Sequence, residues 1–531
     1  MTQDQQREQQ LWLIAALQDP RAYDHPTGDI ELIETHISYV LLTGQYAYKI
    51  KKAVNLGFLD FSTLDKRRHC CAEELRLNRR TAPQLYQGVI PITGTPQQPR
   101  MGGAGTAIEY AVKMRQFPQQ ALAARLMAEG KLNADHMDQI AITLAAFHDA
   151  VDVAAPDSPW GSTQQVQRPV MDNFDAIAAG LVNGDDKKRL ATLRLWSEQA
   201  VAALEPVLAV RKDNGFIREC HGDMHLGNLV VLDDHIAAFD CIEFNPALRW
   251  IDVMSEAAFL AMDLNDHGRS DFAWRFMNTY LEHTGDYHGM AVMAFYMTYR
   301  AMVRAKVSRI RLGQSGINSA ERDALEREYQ GYIRLAERCT SPVPTELIIT
   351  HGLSGSGKTT VARTVATQLG AVHIRSDIER KRLYGVAPAQ HSGSGVNQGL
   401  YNREAGERTY TRLADLAVDL LGSGYPVVVD AAFLHRAQRT RFQNLARERG
   451  VPLVILDIYA PQPELRARIA QRLARGRDAS EADLAVLDTQ IRQRDPLNET
   501  EQAYTVSVDT SRTPDTGGLL RQVKELSAER H

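Results

Sequence analysis

The segment Gly352-Leu353-Ser354-Gly355-Ser356-Gly357-Lys358-Thr359 has the pattern G-x-x-x-x-G-K-[ST]. A phosphate chain is gripped by backbone N–H groups turned inward. Glycines at 352, 355 and 357 let the backbone curl without Cβ clashes. Lys358 is placed to reach terminal phosphates, and the Thr359 hydroxyl to ligate Mg²⁺. An apolar run, Leu347–Ile349, precedes the loop, and a helical pattern opens at Lys358 with its positive end toward the same phosphates. Gly352, Ser354, Gly355, Ser356, Gly357, Lys358, Thr359 and Thr360 are therefore the expected nucleotide-phosphate cradle.

A second set of chemical residues lies far upstream. His221-Gly222-Asp223-Met224-His225-Leu226-Gly227-Asn228 leads into an apolar run, a turn at Asp233-Asp234, a second run and Asp240. Phosphoryl transfer needs a carboxylate near the attacking hydroxyl and oxygen ligands for Mg²⁺. Asp223 suits the first task, and Asn228 with Asp240 the second. The alternative is a polar loop between two buried strands.

Three further groups accompany the glycine-rich loop. Ile374-Arg375-Ser376-Asp377 ends an expected strand, with Arg380 one turn later. Strand ends facing the crevice bind substrate in open α/β sheets. Asp377 can accept a proton from a hydroxyl and Arg380 can hold an anionic group. Asp is also a good helix N-cap, so a structural role is the alternative. Val427–Val429 then Asp430 is an apolar strand ending in a carboxylate, placed to meet Mg²⁺ directly or through water. Arg466, Arg468, Arg472, Arg475 and Arg477 crowd one stretch. Arg472 and Arg477 are the expected arginines of a closing lid, whereas Arg466 and Arg468 suit a basic surface helix.

The elements that must position these residues fall into two patterns. Residues 1–117 read as a helix at 11–18, strands at 30–33, 36–42, 45–51, 89–92 and 107–114, and a helix at 65–80 capped by Ser62 or Thr63. Residues 118–340 read as helices, at 119–129, 134–150, 168–180, 185–205, 250–264, 269–284, 290–312 and 319–339. Thr340–Thr345 is a proline-bearing linker. From 346 to 531, strands at 346–350, 371–375, 426–430, 452–459 and 504–508 alternate with helices, which predicts a parallel sheet covered on both faces. Residues 386–400 read as a Gly/Ser-rich loop. Arg300, Arg304 and Arg311 share a helix face, best read as salt-bridged surface.

The bulk numbers agree. A chain of 531 residues is too long for one core. Its net charge of −4 gives no argument for nucleic acid or a membrane. The polar start lacks a signal-peptide pattern, and no apolar run approaches the roughly 18–20 residues that span a bilayer. Five cysteines without a C-x-x-C pair suit reduced thiols in a cytoplasm, without a disulfide framework or zinc site.

HGDMHLGN followed by IAAFDCIEF resembles the signature of aminoglycoside phosphotransferase-like kinases, over roughly residues 30–335. The resemblance implies a bilobal protein-kinase-like fold, with Asp223 as catalytic base, Asn228 and Asp240 on magnesium, and His221 and His225 shaping the loop. It also implies a strand lysine and a helix glutamate; Lys49 is favoured over Lys51, and Glu74 over Glu73. Glu109–Met114 is the implied adenine hinge. No G-x-G-x-x-G precedes the lysine strand, so phosphate cover must come from another loop. Residues 345–512 resemble P-loop kinases such as polynucleotide 5′-hydroxyl kinases, zeta-type toxins and gluconate kinases, through GLSGSGKTT, the Ser376–Arg380 element and VVVDAAF.

The expected fold is α/β and α+β in two domains, a kinase-like N-terminal domain and a three-layer P-loop domain. The expected function is a bifunctional, Mg²⁺- and ATP-dependent kinase acting on hydroxyls of a small molecule or a nucleotide or RNA. The alternatives are a nucleotide-sensing regulator or plain ATPase in one half, and an antibiotic-modifying enzyme. Glu243 and Asp252 are the carboxylates that the last reading would recruit.

Overall fold

The computed structural model describes residues 3–57, 59–181, 183–232, 235–314, 316–387, 390, 402–475 and 480–528. The expected turn at Asp233-Asp234 and nearly all of the loop 386–400 lie outside these residues. The chain packs as two compact units. The first comprises Met1–Gln139, Ala146–Asp172 and Glu205–Asp263; the second comprises Ile140–Ala145, Asn173–Leu204 and Leu264–His531.

The first unit starts with α1 (Gln3–Ala16), then β1 (Glu31–Glu34), β2 (Ser38–Leu42) and β3 (Tyr46–Lys51). Next come α2 (Leu64–Asn78), β4 (Tyr86–Thr95), β5 (Gln98–Met101) and β6 (Glu109–Arg115). They form one six-stranded antiparallel sheet in the order β1-β2-β3-β6-β4-β5. Strand β5, which contains Pro99, was not among the expected strands. It survives because it is the sheet edge, where a missing N–H costs no ladder bond. Thr63 caps α2, its Oγ1 accepting the Lys66 N–H at 3.3 Å. The core beneath the sheet gathers Leu13, Leu17, Leu41, Tyr48, Ile50 and Ala111.

The next helices are α3 (Ala123–Ala128), α4 (Ala134–Ala150), α5 (Thr163–Ala178) and α6 (Gly184–Asp213). Helix α6 outruns its expected end and continues through Pro206. A buried ion pair from Arg211 to Asp252 at 2.6 Å anchors its last turn. Short strands follow: β7 (Ile217–Glu219), β8 (Leu229–Leu232), β9 (His235–Ala238) and β10 (Trp250–Asp252). Residues 250–252 were expected to start a helix. They pair instead with β7, so α7 runs Val253–Asp266.

The second unit contains α8 (Ser270–Thr284), α9 (Met290–Leu312) and α10 (Ser319–Thr340). Arginines of α9 meet α10: Arg304 donates to the Tyr332 hydroxyl at 3.2 Å, and Arg309 and Arg311 pair with Glu326 and Glu321. The arginine-rich face is therefore a packed, salt-bridged one.

The same unit holds β11 (Leu347–His351), α11 (Lys358–Leu369), β12 (Val372–Arg375), α12 (Ser376–Leu383), α13 (Arg403–Gly422) and β13 (Val427–Asp430). It continues with α14 (Arg436–Arg449), β14 (Leu453–Tyr459), α15 (Gln462–Arg475), α16 (Leu484–Gln493), α17 (Glu499–Gln502), β15 (Thr505–Asp509) and α18 (Thr516–Ala528). The five strands are all parallel, in the order β12-β13-β11-β14-β15. Strands buried on both faces read as continuous apolar runs, as Val427–Val429 and Leu453–Leu456 do. Among the described residues no helix is long and apolar enough to cross a membrane.

Candidate functional site

The first constellation assembles within the first unit. Period-two alternation puts Lys49 and Lys51 of β3 on one face, and both reach Glu74 of α2. Lys49 Nζ lies 2.9 Å from Glu74 Oε1 and also contacts Asp240; Lys51 Nζ lies 2.6 Å from Glu74 Oε2 and contacts Glu243. Burial alone would raise the Glu74 carboxyl pKa, but the two ammonium groups hold it down at about 2. Burial likewise opposes the Lys49 charge, and the Asp240 and Glu74 carboxylates overcome it, leaving its pKa well above the ordinary lysine value.

Asp240 sits at φ 64°, a left-handed conformation rare outside glycine, which marks local strain at this carboxylate. Its N–H donates to the Tyr86 hydroxyl at 3.1 Å. Asn228 Nδ2 donates to the Asp223 carbonyl at 3.0 Å and to its Oδ2 at 2.9 Å. His225 Nε2 lies 3.4 Å from Asp223 Oδ2, so His225 adjoins the carboxylate as well as shaping the loop. The ring of His221 is fully buried and bonded to the Phe239 carbonyl at 2.9 Å. Its burial pushes the pKa down, which favours the neutral ring.

Two carboxylates of α7 hold this loop by its backbone. Glu256 accepts the Gly222 N–H at 2.6 Å and pairs with His148 at 2.9 Å. Asp263 accepts the Leu226 N–H at 2.8 Å. Sequence reading passed over both, since an acidic residue on an apolar helix carries no sign of its distant backbone partner. Glu243 and Asp252 do not join this group as open carboxylates, being committed to Lys51 and Arg211. Glu109–Met114 lies in strand β6: Ala111–Met114 face both β3 and β4, whereas Glu109 and Tyr110 pair with β4.

The second constellation lines a cleft of about 740 Å³ at the carboxyl ends of the parallel strands. Ser354, Gly355, Gly357, Lys358, Thr359 and Thr360 meet Asp377, Arg380, Asp430 and Arg472 there. Two glycines are obligatory. A Cβ on Gly352 would sit 2.2 Å from the Ile458 carbonyl, and one on Gly355 would sit 2.8 Å from the Leu465 carbonyl. Thr510 Oγ1 donates to the Ser356 carbonyl at 2.8 Å, and Arg468 Nη1 to the Gly355 carbonyl at 3.4 Å. The N–H groups of Gly352, Ser354 and Ser356 are bonded within the protein, to the Ala432 carbonyl at 3.2 Å, Gln490 Oε1 at 2.8 Å and the Leu353 carbonyl at 3.2 Å.

Lys358 is half-buried, with Nζ bonded to the Leu353 carbonyl at 2.9 Å, and its pKa is pushed down by desolvation against the pull of Asp430 and Asp377. The buried Ser356 hydroxyl has no protein partner, and neither Ser356 nor Gly352 is among the residues that line the cleft. Asp430 is buried, which would raise its pKa, but His373, Arg375 and the Thr359 hydroxyl hold it at about 2. Asp377 is not an N-cap; it lies in the first turn of α12 and accepts Arg380 Nη1 at 3.2 Å.

Among the arginines, Arg472 lines the cleft and Arg477 lies outside the described residues. Arg466 pairs with Asp488 at 2.5 Å. Arg468, expected on a basic surface, lines the cleft and braces the loop instead. Arg363, Arg375 and Tyr410 also line it and were not anticipated. They come from three separate elements, and only the fold brings them together.

Fold and site define a protein that joins a unit with a six-stranded antiparallel sheet, carrying the Lys49–Glu74–Asp240 cluster, to a P-loop parallel sheet. A family model described as AAA domain matches residues 347–497. The chain is 31% identical over 469 residues to "Uncharacterized protein Rv2004c" of Mycobacterium tuberculosis, covering 87% of this chain and 91% of that one. The corresponding protein of Mycobacterium bovis matches equally. The chain belongs to the family of these mycobacterial proteins. Among solved structures it is similar to an amicoumacin kinase (13% identity, 62% of this chain and 95% of that one, TM-score 0.39). It is also similar to a gluconokinase from Sinorhizobium meliloti (21% identity, 36% and 94%, TM-score 0.25).

Proposed function

We propose that the chain is a bifunctional ATP-dependent phosphotransferase, with one site built around Asp223 and one around Lys358. The observation that supports this reading is a carboxylate near each group of nucleotide-type residues, Asp223 in the first unit and Asp377 in the second. Asp223 is bonded to Asn228, and the Lys49–Glu74–Asp240 cluster supplies the cation-binding side. Asp377 shares its cleft with Lys358 and Asp430.

Bound Mg·ATP supplies the phosphoryl group and neutralises the oxygens between which it passes. Lys49 and Lys358 orient the phosphates, each as an ammonium with carboxylates close by. Asn228 with Asp240, and Thr359 with Asp430, are the groups that hold magnesium. Asp223 and Asp377 accept the proton of the acceptor hydroxyl. Arg380 and Arg472 hold anionic groups in the second cleft. The acceptor is a hydroxyl of a small molecule or of a nucleotide or RNA.

The test incubates the full chain and the variants Asp223→Ala and Lys358→Ala with labelled ATP and a mixture of metabolites and RNA. Each variant should lose a different labelled product. Release of inorganic phosphate alone, or full transfer by either variant, overturns the corresponding assignment.

A further inference from the structure

Strand β12 is an edge of the parallel sheet. Its Val372 N–H points inward, to the Pro426 carbonyl at 2.9 Å. The Ala371 carbonyl and the His373 N–H therefore point outward, where an edge needs partners. Asn278 of α8 satisfies both: Nδ2 donates to the Ala371 carbonyl at 3.0 Å, and Oδ1 accepts the His373 N–H at 2.9 Å. One side-chain amide thus stands where a further strand would pair.

Trp274, Asn278 and Glu282 recur every four residues and so share one face of α8. Trp274 packs so close to Gly370 that a Cβ there would lie 2.9 Å from its indole nitrogen. At the other end of the face, Glu282 accepts Arg375 Nη1 at 3.2 Å and lies 3.8 Å from His373 Nδ1. The far side of the same two residues faces Asp430: His373 Nε2 is 3.7 Å and Arg375 Nε 4.0 Å from Asp430 Oδ2. All four side chains are at most 12% exposed, so solvent screens these charges little.

A guanidinium next to a metal-binding carboxylate competes with the metal. A second carboxylate on its far side draws it back. We infer that Glu282 is a positioning residue for the P-loop site: through Arg375 and His373 it keeps the Asp430 carboxylate available to magnesium. Helix α8, which precedes the proline-bearing linker, thereby belongs functionally to the cleft that follows it. The inference rests on the reading of Asp430 as a magnesium-binding group.

The test measures ATP binding to the full chain, taken as the Lys358-dependent part by difference from Lys358→Ala, across a Mg²⁺ titration and in EDTA. Glu282→Gln should raise the Mg²⁺ needed for half-saturation about tenfold and leave binding in EDTA unchanged. Glu282→Asp, which keeps the charge, should shift it less. In a background carrying Arg375→Gln and His373→Gln, Glu282→Gln should add nothing. An unchanged Mg²⁺ requirement, or an equal loss with and without Mg²⁺, overturns the role of Glu282. If Asp430→Asn itself leaves the Mg²⁺ requirement unchanged, the magnesium role of Asp430 fails instead. A shift with Asp430→Asn but none with Glu282→Gln confines the failure to the positioning step.

Discussion

Glu256 accepts the backbone N–H of Gly222 at 2.6 Å, one residue before Asp223. Burial would raise this carboxyl pKa, but the hydrogen bond and charge of His148 hold it at about 2 against an ordinary 4.5. A carboxyl lowered in the folded state adds stability above its unfolded value and loses it as pH falls toward the folded one. The contribution is therefore complete above about pH 5 and fades between about 4.5 and 2, to a total on the order of 3 kcal/mol. Glu256→Gln should lower the melting temperature at neutral pH, and the gap to wild type should close as pH falls through that window. A gap independent of pH would refute the linkage.

Lys49 and Lys51 share Glu74 but should fail differently. Lys49→Met should remove transfer at the first site with a modest change in stability, since Glu74 keeps Lys51 as a partner. Lys51→Met leaves the fully buried Glu243 without its lysine and should cost about 3–5 kcal/mol, read as a fall in melting temperature. Comparison of turnover and melting temperature for the two variants checks the division.

Gly352→Ala should abolish Lys358-dependent nucleotide binding. The new methyl group meets a backbone carbonyl at 2.2 Å, which no side-chain rotation relieves. Ser356→Ala at the same loop should be tolerated by the fold, because its hydroxyl has no protein partner. Its expected effect is a weaker grip on nucleotide, read by titration with ATP.

Asp377→Asn should lower transfer from the second site by about 10²–10⁴-fold while nucleotide binding persists. Arg380→Ala should act mainly on the KM for the acceptor. Steady-state kinetics with an identified acceptor separates the two; a loss of ATP binding in Asp377→Asn would contradict the proton-accepting role.

Local order made much of this molecule legible in one dimension. The glycine positions of the Gly352–Thr359 loop announce its curl, although the carbonyls of Ile458 and Leu465 that make Gly352 and Gly355 obligatory come from far along the chain. The parallel strands are apolar runs because both faces are covered, and α2 is announced by its cap. The spacing of Asp223, Asn228 and Asp240 is set by a short hairpin, so their nearness follows from adjacent chain.

Other features depend on residues far apart in the chain. Strand β5 is a sheet edge, which tolerates Pro99. The Lys49 and Lys51 pair became distinguishable only when Asp240 and Glu243 arrived from about 190 residues on. Arg468 looked like surface until α15 packed against the phosphate loop. Glu256, Asp263, Asn278 and Glu282 carry no local motif, because what each does is fixed by a backbone group or charge that only folding brings within 4 Å. The sequence by itself determined which chemical groups are present and the short-range geometry of two loops. The tertiary structure decided which buried charges face one another, because that depends on packing rather than on spacing along the chain.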